Sequence, residues 1–228
     1  MRHAIFLFDL DGTLVLTGGA GVRALERAFF EVLQIPQGLE GIRCDGKTDP
    51  AIVREMLRVR GIEDETLIPR VLDRYLAFLE HEVACAAGYR VLPGVRECLE
   101  YLAAQQTALC GLGTGNLERG AFIKLARADL NRFFSFGGYS SDSDDRPELV
   151  RLALGRARQM LADPDSPALV IGDTPLDIAA GKAASALTLG VATGNYSVEA
   201  LQACGADLAL PDLGEPERWL SRLGLTLS

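Results

Sequence analysis

Ala4-Ile5-Phe6-Leu7-Phe8-Asp9-Leu10-Asp11-Gly12-Thr13-Leu14 joins a short apolar run to two aspartates one residue apart. The run reads as a buried strand, because it is brief, wholly apolar and rich in aromatic and β-branched residues. Alternation along an extended backbone places Asp9 and Asp11 on one side, with Leu10 facing the other way. Two carboxylates held so close repel each other unless a cation lies between them or one keeps its proton. Asp-Gly is also an ordinary turn dipeptide, so the segment alone fits a plain loop after a strand.

Three more apolar runs end in small or acidic residues: Ala108–Leu112 before Gly113-Thr114, Ala168–Ile171 before Gly172-Asp173, and Ala186–Ala192 before Thr193-Gly194. Helical patterns over Gly94–Gln105, Leu117–Leu130, Pro147–Leu161 and Pro175–Ala184 separate them. That alternation predicts an α/β fold, a Rossmann-like parallel sheet flanked by helices. Ligands of such sheets bind beyond the carboxyl ends of the strands, where all these polar tips are expected to meet.

The first strand breaks the rhythm. Only helical patterns, Val22–Leu33, Pro50–Val59 and Leu67–Ala84, lie between Leu14 and Tyr89. About seventy residues of helix inserted there predict a separate helical cap domain above the sheet edge, placed to act as a lid. The expected division is 1–14 and 90–228 for the core and 15–89 for the cap, with Pro93-Gly94 at the return. Thr-Gly-Asn occurs at both Thr114–Asn116 and Thr193–Asn195, too short a match to count as a repeat.

The 228 residues carry a net charge of −8 and no basic run, which argues against a nucleic-acid groove. A phosphate site in such a chain must be locally positive or metal-assisted. Arginine supplies most of the positive charge, the lysines being Lys47, Lys124 and Lys182 alone. Five cysteines, none in a CxxC pair, fit buried thiols in a reducing cytosol. No apolar stretch reaches the ~18–20 residues that span a bilayer, and the N-terminal run is too short for a signal peptide. A cytoplasmic protein without membrane partners is expected; its oligomeric state is not legible.

Gly172-Asp173-Thr174-Pro175-Leu176-Asp177 puts two more acids at a strand end, with Asp177 one helical turn beyond Asp173. Helix capping accounts for such acids too. Together with Asp9 and Asp11, however, they make a cluster that a hard divalent ion such as Mg2+ would hold together. Gly113-Thr114-Gly115-Asn116 offers a hydroxyl, an amide and backbone N–H groups at a helix start, a phosphate cradle or simply a cap. Arg146 follows the acidic loop Asp142-Ser143-Asp144-Asp145 and precedes Pro147, either as a solvated ion pair or as a fixed anion clamp.

These four segments, in this order and with a helical insert after the first, resemble the haloacid dehalogenase-like hydrolase superfamily. Its phosphoglycolate-phosphatase-like branch with a helical cap is the nearest match, over essentially the whole chain. Asp9-Leu10-Asp11-Gly12-Thr13-Leu14 matches the first motif and Gly172–Asp177 the fourth, while Thr114 is a one-residue match to the second. The resemblance implies an Mg2+-dependent phosphatase acting on a small phosphorylated metabolite through an aspartyl-phosphate. Asp9 would be the nucleophile and Asp11 the acid/base. Asp9, the backbone carbonyl of Asp11, and Asp173 would hold the metal, supported by Asp177. Thr114 would bind the phosphoryl group with Gly115 and Asn116. The third motif normally supplies lysine; here Arg146 stands before the proline, and Lys124 and Lys182 fall two or more turns down their helices, expected to be too far from the edge. Arginine supplies the charge and a bidentate contact but is not a neutral swap for lysine.

Gly41-Ile42-Arg43-Cys44-Asp45-Gly46-Lys47-Thr48 also fits the nucleotide-binding pattern GxxxxGK[ST], yet no strand signal precedes it. A cap loop leading to the Pro50 helix is expected instead, with Lys47 reaching towards substrate and Gly21 a second cap contact. A phosphonate hydrolase, a sugar-phosphate mutase and a non-catalytic phosphate-binding descendant remain as alternatives. A phosphoacceptor receiver domain has no insert of this size.

Overall fold

The computed structural model describes residues 3–227; positions 1, 2 and 228 of the expected core lie outside them. A six-stranded, wholly parallel sheet forms its centre, in the order β5-β4-β1-β6-β7-β8. The strands are β1 (Ala4–Phe8), β4 (Ala108–Gly113), β5 (Phe136–Gly138), β6 (Ala168–Gly172), β7 (Leu187–Val191) and β8 (Leu208–Leu210). This is the doubly wound order, in which the direction of winding reverses at the first strand and opens a crevice at its carboxyl end.

Every residue of β1 is buried, because helices cover both faces of the sheet. Ile5 and Leu7 pack against Leu149, Val150 and Leu154 of α6 (Arg146–Leu161). Phe6 and Phe8 face the opposite layer, with Leu99 of α4 (Val95–Ala103), Leu125 of α5 (Glu118–Ala126) and Trp219 of α9 (Pro216–Arg222). The unbroken apolar run is thus two alternating faces, each with its own core.

The insert after β1 is helical, as expected: α1 (Ala20–Leu33), α2 (Asp49–Val59) and α3 (Leu67–Cys85). They bury a separate core that includes Phe29, Val53, Met56 and Leu79. The chain enters and leaves this cap through an antiparallel ribbon, β2 (Val15–Thr17) paired with β3 (Tyr89–Val91). Two neighbouring three-residue strands give no periodic signal of their own, so the ribbon was not legible in sequence. No strand precedes Gly41, where a P-loop would need one. No helix among the described residues is long and apolar enough to cross a membrane.

Candidate active site

Parallel register brings three chain tips level. Phe8 pairs with Leu112 on one side and Ile171 on the other, so Asp9, Gly113 and Gly172 each come one residue later. The Asp9 backbone N–H donates to Ile171 O at 2.8 Å, continuing the ladder by one bond. A tight loop follows, in which Leu14 N–H donates to Leu10 O at 2.9 Å and Gly12 N–H to Val15 O at 3.0 Å. Gly12 has φ +85°, and a Cβ there would stand 2.4 Å from Asp173 Oδ2. The Asp-Gly pair is therefore a turn and also the close-packed floor of an acidic site. Thr13 Oγ1 donates to Asp173 Oδ1 at 3.1 Å, and Thr193 Oγ1 donates to Gly12 O at 2.6 Å.

Asp9, Asp173 and Asp177 are all buried, and one carboxylate oxygen from each lies within 4.8 Å of the others. Burial drives the Asp9 pKa up to about 6, against the pull of Arg146. Asp173 is pushed up to about 8 by burial, with the charges of Asp177 and Asp9 adding to it. Crowded, desolvated acids of this kind suit a hard divalent cation with oxygen ligands. Asp177 already makes four bonds. Its Oδ1 accepts from Arg146 Nε at 3.1 Å and from Arg146 Nη2, and its Oδ2 accepts from Thr174 N–H at 3.0 Å and Thr174 Oγ1 at 2.7 Å. Thr174 is the N-cap of α7 (Pro175–Ala183), and the two residues form a capping box.

Arg146 is buried at the start of α6, so the solvated ion-pair reading does not hold. Its Nη2 lies 3.0 Å from Asp9 Oδ1, while Nη1 donates to Gly46 O of the cap at 3.0 Å. Burial works against its charge, but Asp177 and Asp9 outweigh that and raise its pKa. The planar fork lets one residue hold two acids and a carbonyl in fixed directions.

A second cation stands beside Asp11. Lys124 Nζ donates to Asp11 Oδ2 at 2.5 Å and to Asn116 Oδ1 at 2.5 Å. Asn116 Nδ2 donates to Asp11 Oδ2 and to Thr114 Oγ1, both at 2.9 Å. The Lys124 side chain is 5% exposed, whereas the Asp11 side chain is 43% exposed towards the cavity. Desolvation disfavours the ammonium, yet Asp11, Tyr75 and Asp49 together raise the Lys124 pKa. The expectation that Lys124 lies too far down its helix is wrong. Helical side chains tilt towards the N-terminus, so a long lysine stem in α5 runs back towards the sheet edge. Lys182 does stay away, paired with Asp207 at 3.7 Å.

The cap closes over these residues and bonds to the core. Asp49 N–H donates to Gly115 O at 2.8 Å, and Leu117 N–H donates to Asp49 Oδ2 at 2.9 Å. Thr48 Oγ1 donates to Asp144 O at 3.2 Å, and Asn195 Nδ2 donates to Asp45 Oδ1 at 2.9 Å. Beneath lies a cavity of about 230 Å³, lined by Asp9, Asp11, Thr114, Arg146, Lys124 and Asp173, among others. Gly21, Lys47, Gly115 and Asn116 reach its wall as well. Lys47 is tied to Glu55 by an ion pair. Asp49 and Tyr75 are not among the expected site residues, and neither is Lys124, which the sequence places too far down its helix to serve as the third-motif lysine.

Sequence comparison places this arrangement in a family. The profile of the haloacid dehalogenase-like hydrolases matches residues 3–185. The chain is a haloacid dehalogenase-like hydrolase. Similar members include a phosphoglycolate phosphatase of Pseudomonas syringae pv. tomato, 32% identical over 199 residues, covering 83% of this chain and 70% of the relative. Another, from Pseudomonas putida, is 29% identical over 218 residues, covering 92% and 76%. The crystal structure of a hydrolase from Pseudomonas syringae superposes with a TM-score of 0.71 at 24% identity, over 97% of this chain and 99% of that one. In this hydrolase Arg146, at the position expected for a lysine, stands next to Asp9, while Lys124 on another helix pairs with Asp11.

Proposed function

We propose that this hydrolase is a divalent-cation-dependent phosphatase that cleaves a small phosphomonoester through an aspartyl-phosphate on Asp9. The observation that carries the reading is Asp9 itself, buried at the tip of the central strand with Arg146 Nη2 at 3.0 Å and Asp173 beside it. Phosphoryl transfer needs alignment and neutralisation of the transferring oxygens more than covalent help from the protein. Asp9 and Asp173 would hold Mg2+, with the Asp11 carbonyl, and the ion would let an anionic carboxylate approach an anionic phosphate. Asp177 supports them by fixing Arg146 and the start of α7.

Asp9 Oδ attacks phosphorus as the bond to the ester oxygen breaks, and Asp11 protonates the departing alkoxide. Asp11 then takes a proton from water, which attacks phosphorus and releases phosphate from Asp9. Lys124 Nζ donates to Asp11 Oδ2, so substrate binding must draw the ammonium from Asp11 onto a phosphoryl oxygen. Arg146 and Thr114 would bind the remaining oxygens. The closed cap excludes water until the ester is positioned.

Phosphate release from p-nitrophenyl phosphate tests the proposal. Mg2+ should support turnover, chelation should stop it, and Asp9→Asn should remove it. Full activity in Asp9→Asn would refute the nucleophile.

A further inference from the structure

Charge on the cavity wall restricts the alcohol half of the substrate. Among the described residues, Lys47, Lys124 and Arg146 are the cations that line the cavity, and each already faces a carboxylate. Arg146 is held by Asp9 and Asp177, Lys124 by Asp11, and Lys47 by Glu55. A phosphoryl group occupies the first two on the reading given above. The rest of the wall includes the apolar side chains of Leu16, Val22, Leu25 and Ile52, with Tyr75, neutral polar groups, and the acidic Asp45 and Asp49 of the cap.

Asp49 is placed rigidly at this end of the cavity. It begins α2, is buried, and one of its oxygens is fixed by Leu117 N–H of the core at 2.9 Å. Its backbone N–H is fixed by Gly115 O at 2.8 Å. The second carboxylate oxygen keeps acceptor capacity for a ligand hydroxyl. A ligand carboxylate brought to the same place meets a like charge in a desolvated cavity, with no uncommitted cation to offset it.

We propose that Asp49 is a specificity residue, selecting phosphomonoesters whose alcohol portion is uncharged and bears a hydroxyl, and rejecting those that carry a carboxylate. The proposal rests on the phosphatase reading and goes further by naming the substrate class. Like-charge exclusion of this kind is the repulsive half of specificity, built against the wrong ligand and not only for the right one.

Two matched pairs test it in the full-length chain with Mg2+: 2-hydroxyethyl phosphate against 2-phosphoglycolate, and glycerol 3-phosphate against 3-phosphoglycerate. In each pair a hydroxymethyl group replaces a carboxylate. The hydroxylated member should have a kcat/KM at least about tenfold higher. Asp49→Asn, which keeps an acceptor for Leu117 N–H, should narrow that ratio about tenfold, mainly by lowering KM for the carboxylates. Equal or better use of the carboxylates by the unaltered enzyme overturns the proposal, and that measurement does not depend on the variant folding. A selective rise in KM for the carboxylates in Lys47→Ala also overturns it, because Lys47 would then be their anchor. Release of phosphate from none of the four esters nor from p-nitrophenyl phosphate defeats the phosphatase reading itself, and the specificity assignment with it.

Discussion

Replacing Asp173 by asparagine should make the metal-free protein more stable while removing its response to Mg2+. Asp173 is 5% exposed, and burial, reinforced by Asp177 and Asp9, lifts its pKa from 3.8 to about 8. An acid whose folded pKa exceeds its unfolded value destabilises the fold. The penalty is absent below pH 3.8, grows as pH rises towards 8 and is level above that. At 1.36 kcal/mol per unit, linkage gives about 4 kcal/mol at pH 7 and about 2 kcal/mol at pH 5. Asparagine keeps the acceptor for Thr13 Oγ1 and carries no charge, so it should recover most of this. Urea unfolding in EDTA at the two pH values measures the gain as a shift in midpoint at constant slope. Mg2+ should narrow that gap at pH 7, since a ligand at one hundred times its Kd stabilises the parent by about 2.7 kcal/mol and the variant by little. An asparagine variant less stable than the parent at pH 7 in EDTA, or one with the same gain at both pH values, would refute the account of Asp173 as a repelled, cation-seeking acid.

Other expectations follow from the same geometry. Lys124→Met should lower kcat by about 10²–10³-fold, as losing a charge aimed at the transferring group does; an unchanged kcat would leave Arg146 as the sole anion clamp. Arg146→Lys should cost about tenfold or more in kcat/KM, because one ammonium cannot reach Asp9, Asp177 and Gly46 O together, and steady-state assays against the parent decide it. Gly194→Ala would set a methyl 1.8 Å from Asp173 Oδ2, and should destabilise the fold by about 1–3 kcal/mol and shrink the Mg2+-dependent rise in Tm. Calorimetry with and without Mg2+ checks both effects.

Much of the architecture and most of the site could be read locally. An apolar run with polar residues at its end fixes a buried strand and the direction in which its tip points, so Asp9, Thr114 and Asp173 were legible without coordinates. Three cap helices were legible because their apolar stripes are long and regular, as in Leu67–Cys85. Strands of three residues, such as β5 and β8, carry too little pattern to be found, and Phe136-Gly137-Gly138 has two residues with weak strand preference.

Lys124, Asp49 and Tyr75 belong to the other category. Each lies on a helix whose own pattern says only which face is apolar, and each reaches the cavity because helices from separate parts of the chain lean together over the sheet edge. Sequence determined which acids and which strand ends would meet at the candidate site, since those follow from neighbouring residues and a repeat of two. Only the tertiary structure decided which cations pair with them and what the cap presents to the cavity. Those choices depend on side-chain reach and on the angle between packed helices, and neither is written in any one segment.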